Sequence, residues 1–154
     1  MRMPSLRLFA FSTVFFALSF SAQATKPTES AISRSLEDSA LKWGPAPAFL
    51  PTGSELAVLH GDSAKKNADV FLKLPAKSLI PAHWHTSAER MILVAGEMHI
   101  NFVGQEKIVL KPGNYAYSPA KLRHDAICVS ETPCILFIAF ELPVDAFPVA
   151  SGSK

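Results

Sequence analysis

From residue 56 to residue 140 the chain is a succession of short β-rich runs, each stopped by glycine, proline or a polar turn. The runs fall at 56–60, 69–74, 78–85, 89–95, 97–103, 106–110, 114–117, 124–129 and 134–140. The stops include His60-Gly61-Asp62, Pro75, Gly96, Gly104, Pro112-Gly113 and Pro119. Side chains of a strand alternate between two faces, so runs this short bury their apolar half only by stacking against another sheet. Met98, Ile100 and Phe102 alternate in this way with Glu97, His99 and Asn101. Many short strands with Gly and Pro turns predict an all-β sandwich or barrel. Closure, or a double sheet, also removes strand edges that would otherwise stay unpaired.

The beginning of the chain reads differently. Arg2 and Arg7 precede an apolar stretch, Leu8 to Phe20, and Ala22-Gln23-Ala24 is a small-x-small site. This is the pattern of a secretory signal peptide over residues 1–24, removed before Thr25. The apolar stretch is short for a bilayer span, and Pro27 with polar residues follows it. The expected location is periplasmic or secreted, with no membrane association once the leader is gone. Of the 15 basic residues two lie in the leader, and the rest balance the 13 acidic ones. A neutral chain without a basic stripe is not expected to bind nucleic acid.

The remaining length suits one domain. Residues 25–54 read as an N-terminal arm or short helix, the helix being one that Ser30 or Ser33 would cap and that would carry Ile32, Leu36, Ala40 and Leu41. Such an arm covers an open end of the domain or reaches a partner subunit. Trp43-Gly44-Pro45-Ala46-Pro47 reads as a break in regular structure. Residues 55–142 form the β-domain and 143–154 a C-terminal tail. The two cysteines, Cys128 and Cys134, flank the turn-like Ser130-Glu131-Thr132-Pro133. Two readings stand: a disulfide across the hairpin, suited to an oxidising compartment, or two buried thiols packed as small apolar groups.

His83 and His85, two residues apart, share one strand face. Glu89 comes round at the start of the next run, and His124 follows downstream. Three imidazoles and a carboxylate meeting inside a barrel make a site for a first-row divalent metal. The segment His83-x-His85-x3-Glu89-x6-Gly96 resembles the first motif of the cupin family, and Gly113-x5-Pro119-x4-His124 resembles the second. The resemblance extends over roughly residues 55 to 142. It implies a single-domain jelly-roll β-barrel in which His83, His85, Glu89 and His124 hold a metal. It also implies metal-dependent work on a small organic molecule, foremost oxidation of the dioxygenase type, and pairing as a homodimer. Three positions depart from the family pattern: Lys77 and Lys121 stand where turn glycines are usual, and Cys128 where an asparagine is usual. Lys121 suggests a different turn beside His124.

The donor set suits Fe, Mn, Ni, Cu or Zn. Four such ligands leave two positions open on a six-coordinate ion, or one where Glu89 binds through both oxygens, and a substrate enters there. Glu89, a more movable ligand than imidazole, is the candidate base. Met91 and Leu93 share its parity and are expected to line the cavity. Tyr117 is a candidate donor to a metal-bound substrate, beside the plainer reading of packing for both Tyr115 and Tyr117. His60 reads as a turn residue and His99 as exposed or behind the ligands, while Trp84 and Arg90 face away from them. Two other function classes stay open. A non-enzymatic metal- or ligand-binding module of the cell envelope suits the shortage of polar groups. An isomerase would want an inward Lys or Arg, for which Lys77 is the neighbouring candidate.

Overall fold

The structure, a computed structural model, describes residues 29–150. The signal-peptide reading of residues 1–24 lies outside that range. The chain divides into residues 1–32 and 33–154, and all regular structure among the described residues belongs to the second unit. That structure is eleven strands: β1 (Trp43–Pro45), β2 (Glu55–His60), β3 (Ala68–Leu74), β4 (Leu79–Trp84), β5 (Glu89–Ala95), β6 (Met98–Phe102), β7 (Ile108–Leu110), β8 (Tyr115–Ser118), β9 (His124–Cys128), β10 (Cys134–Phe140) and β11 (Phe147–Pro148). The described residues contain no helix long and apolar enough to cross a membrane.

The strands form two antiparallel sheets, ordered β1-β2-β3-β10-β5-β8 and β11-β4-β9-β6-β7. This is the jelly-roll arrangement expected from the strand pattern. Burial alternates along β10, where Cys134, Leu136, Ile138 and Phe140 face the core, and along β6, where Met98, Ile100 and Phe102 do. The inner faces of both sheets meet in one apolar core with Val70, Leu74, Met91, Leu93, Ala126 and Leu110. Its chief stabilisation is the removal of these side chains from water, about 25 cal/mol per Å² of apolar surface.

At three places the structure decides or refines the sequence reading. No helix forms within residues 30–41. Successive turns take its place: Asp38 N–H donates to Ser35 O (3.2 Å), Leu41 N–H to Asp38 O (3.0 Å), and the Asp38 side chain accepts Ala40 N–H at 2.8 Å. A local side-chain acceptor of this kind competes with helix formation. This course lets Leu41 cluster with Ala57 and Phe71, with Leu36 packed against them, on the outer face of the larger sheet. Second, Trp43-Gly44-Pro45 is a strand rather than a break. It pairs with Ala57, Leu56 and Glu55 at the sheet edge, where a proline's missing donor is tolerated. Third, the C-terminal tail is tied to the domain as far as residue 149. Phe147 and Pro148 pair with Trp84 and His83, Val144 N–H donates to Ser63 O at 2.8 Å, and Val149 N–H to Ala82 O at 2.8 Å.

Cys128 and Cys134 are joined in a disulfide with a Cα–Cα separation of 5.8 Å. The bond closes the β9–β10 turn at the end of the domain remote from His124 and Phe140. Gly96 sits against it with φ +85°, and a Cβ there would lie 2.8 Å from Cys134 Sγ and 2.9 Å from Ser130 Oγ. Only glycine meets both the left-handed backbone and the close approach.

Candidate metal centre

The register of β4 and β9 sets His83 directly opposite His124, and Phe102 on β6 pairs with His124 from the other side. Directly paired residues of antiparallel strands point to the same face, so both imidazoles enter the barrel from the smaller sheet. His85 follows the end of β4 and enters beside them. Glu89 opens β5 in the larger sheet, paired with Ser118 and Phe140, and faces the histidines across the core. All four are buried. One ring nitrogen from each of His83, His85 and His124 lies within 4.8 Å of the others. His85 Nε2 is 3.3 Å from Glu89 Oε1, and His124 Nε2 is 3.8 Å from Glu89 Oε2.

The outer nitrogens decide which way the rings present themselves. His83 Nδ1–H donates to Pro81 O (2.7 Å), His124 Nδ1–H to Leu122 O (3.0 Å), and His85 Nδ1–H to Asp145 O. A carbonyl oxygen only accepts, so each ring is the Nδ1–H tautomer with its Nε2 lone pair turned inward. This is the orientation in which metal-bound histidines are held. The consequence is visible at His85 Nε2 and Glu89 Oε2, two buried polar atoms with no hydrogen-bond partner. Burial without partners is costly, and a lone pair facing a carboxylate oxygen repels unless a cation or proton lies between. The donor set therefore fits a divalent transition ion.

Burial also sets the charges. It holds the imidazole of His85 down to about 4 and that of His124 down to about 3, and lowers His83 from the usual 6.5. Bonds to the carbonyls of Asp145, Leu122 and Pro81 oppose this only in part. Burial pushes the Glu89 carboxyl up to about 8, with a hydrogen bond from Ser118 acting the other way. Without an ion the rings are neutral and ready to ligate, while Glu89 keeps a proton that an ion would displace.

The centre opens into a cavity of about 70 Å³ lined from both sheets, including Val70, Met91, Ile100 and Leu136. Two loops complete its walls. Pro47, Phe49 and Leu50 come from the connection before β2, with the Phe49 ring 5.4 Å from that of His83. Val144, Asp145 and Ala146 come from the segment before β11. Asp145 also receives Thr86 N–H at 2.9 Å and the Thr86 hydroxyl. The first loop belongs to the N-terminal arm, one reading of which placed it over an open end of the domain; the second carried no signal for this role.

Of the residues expected to line the cavity, Met91 does. Leu93 is fully buried but lies deeper in the core, because four residues of strand carry it about 13 Å from Glu89. Tyr117 does not reach the centre. It pairs with Arg90, sharing that residue's outward face, and is 51% exposed, while Ser118 turns inward beside Glu89. Arg90 pairs with Glu141 outside the barrel, Trp84 stacks on Phe147 with ring centroids 4.6 Å apart, and His99 contacts Glu97 at 3.3 Å. Lys121 keeps the turn beside His124. It takes φ +64°, the left-handed region in which glycine is at ease, and its N–H donates to His85 O at 2.8 Å. Lys77 likewise has φ +55°, and its Nζ is directed to Val129 O (2.7 Å) and Glu131 (2.8 Å), not inward.

Fold and site together define a small jelly-roll protein with a histidine cluster in its barrel. A family model described as Cupin domain matches residues 70–140, and the chain belongs to the cupin family. Curated protein sequences contain no match to the chain. Solved structures share its fold. The DMSP lyase DddQ from Ruegeria pomeroyi superposes with a TM-score of 0.61 at 18% identity, over 74% of this chain and 64% of that one. The chain thus spans somewhat under two thirds of that enzyme's length. An RmlC-like cupin from Shewanella frigidimarina gives 0.56 at 22% identity, over 68% of this chain and 86% of the other. The polyketide cyclase RemF from Streptomyces resistomycificus gives 0.62 at 14% identity, over 79% and 89%.

Proposed function

We propose that this chain is an exported, metal-dependent enzyme acting on a small organic molecule, with oxidation by dioxygen as its reaction. The observation that carries the metal assignment is the inward-facing His85 Nε2 set 3.3 Å from a Glu89 oxygen in a buried site. A divalent ion held by His83, His85, His124 and Glu89 would supply Lewis acidity and, if redox-active, a path for electrons to dioxygen. The residues themselves do the rest. Bonds from Nδ1 to main-chain carbonyls keep the three imidazoles neutral and aimed. Glu89 is the group beside the centre able to take a proton from a substrate. The apolar walls exclude water, which strengthens every charge interaction inside. The Cys128–Cys134 disulfide supports export, because such bonds persist in oxidising compartments.

One observation favours a second reading, a non-enzymatic binding module. Among the described residues lining the cavity, Glu89 and Asp145 are the acids and no Lys, Arg, Tyr or Ser joins them. The same observation weighs against an isomerase, which would want an inward cation.

The test is to purify residues 25–154 without chelator, measure bound metals, and follow oxygen uptake with short β-diketones and catechols. Uptake that His85→Ala abolishes supports the enzyme. Stoichiometric metal with no turnover supports the binding module. A protein that holds no transition metal, added or endogenous, refutes both.

A further inference from the structure

We infer that the cavity takes a one-headed ligand: a small molecule whose single polar group is an oxygen-donor head facing the metal, and whose body is a short hydrocarbon. The inference rests on the metal-centre reading and extends it to substrate class.

The chemistry of the walls carries it. Apart from the three histidines, Glu89 and Asp145, every residue lining the cavity is apolar. Val70 and Leu72 come from β3, Leu136 and Ile138 from β10, Met91 from β5 and Ile100 from β6. None offers a hydrogen bond. Asp145 is already engaged, its carboxylate with Thr86 and its carbonyl with His85. All polar chemistry is therefore gathered at the pole of the cavity occupied by the histidines and Glu89. A hydroxyl or carboxylate carried to the other pole would be buried without a partner, a loss of roughly 10- to 100-fold in affinity. Sugars, amino acids, dicarboxylates and phosphorylated compounds all carry such a second polar end.

Size sets the length of the body. A cavity of about 70 Å³, against roughly 10–15 Å³ for one water in the same measure, holds about five to seven water-sized groups. A two-atom chelating head leaves room for about four carbons.

The experiment uses the Co²⁺-loaded protein and a series of linear alkyl hydroxamates from acetyl to hexanoyl, with succinic monohydroxamate as the polar-ended control. Binding is read from the Co²⁺ visible spectrum. Affinity is expected to rise about fourfold per added methylene up to about four carbons, the value for burying one CH₂. The acid-ended control is expected to bind at least 10-fold more weakly than the butanoyl compound. The wall variant Ile138→Phe is expected to move the optimum to a shorter chain while leaving the ligand-free Co²⁺ spectrum unchanged, and Val70→Ile serves if that variant fails to fold. Affinity indifferent to chain length, or a control that binds as tightly as butanoyl, overturns the inference and leaves the metal reading intact. Failure to bind Co²⁺ before any hydroxamate is added overturns both.

Discussion

His85 and Asp145, sixty residues apart, are joined by a hydrogen bond from side chain to main chain: the Nδ1–H of the ring donates to the Asp145 carbonyl. The Asp145 carboxylate is in turn clasped by the Thr86 N–H and hydroxyl. Residues 85 and 86 thus hold the C-terminal segment, and that segment fixes the tautomer and angle of one imidazole.

Asp145→Ala keeps the carbonyl that accepts from His85 but releases the clasp that positions it, and is expected to weaken Zn²⁺ or Co²⁺ binding by about 10-fold, the low end of the cost of disturbing an outer partner of a ligand histidine. Asp145→Asn, which keeps the shape and one acceptor oxygen, should lose less. Titration calorimetry of both variants decides. Equal affinities for wild type and Asp145→Ala would mean that His85 needs no outside support.

The metal-free protein should be most stable near pH 6.5. Between the ordinary 4.5 and about 8, folded Glu89 keeps a proton that the unfolded chain has released, so its contribution falls as pH rises through that span. His85 and His124 act with opposite sign. Their values of about 4 and about 3, against 6.5 unfolded, mean that stability falls as pH drops below 6.5. Around pH 5.5 the histidines outnumber the carboxyl, and above 6.5 Glu89 alone remains. Urea midpoints with and without Zn²⁺ across this range are the check. The metal should remove the decline toward pH 8, because the ion takes the place of the Glu89 proton.

Lys121 holds a left-handed backbone at an exposed position. The conformation costs an L-residue about 1–2 kcal/mol, and glycine gives back about 0.5–1 kcal/mol through the freedom of the unfolded chain. Lys121→Gly should therefore stabilise the fold by roughly 0.5–1 kcal/mol, measured by denaturant unfolding, with metal affinity unchanged because the bond to His85 O is made by the main chain. A loss of stability would show that the lysine side chain contributes something its exposure does not suggest.

Reducing the disulfide should destabilise the domain without touching the centre. The sequence separation is only six residues, so the chain-entropy contribution is about 2 kcal/mol. Cys128 lies at the opposite end of β9 from His124, about 13 Å along the strand. Thermal unfolding of a Cys128→Ala/Cys134→Ala variant should shift downward while its Co²⁺ affinity stays within about twofold. A large loss of metal affinity would mean that the two ends of the barrel are coupled.

Much of this was legible in the residues themselves. Each of the nine runs read from 56 to 140 became a strand, with ends displaced by no more than two residues. Apolar alternation and Gly or Pro stops are local signals, and a half-buried strand has few other ways to satisfy them. The strands at the two margins were not legible. β1 contains a proline and β11 is two residues long, and each exists only because a neighbouring strand presents an unpaired edge.

The same division runs through the centre. His83, His85 and Glu89 lie close in sequence, and the resemblance to the two cupin motifs adds His124, so the candidate ligands could be named before the fold placed them together. Tyr117, Leu93, Phe49 and Asp145 show where that reasoning ends. Whether a side chain reaches a cavity depends on cross-strand register, on depth along the barrel and on which loops close over it. Those are distances between residues far apart in the chain, and the physical forces that fix them, burial and hydrogen bonding between distant strands, leave no mark in local order.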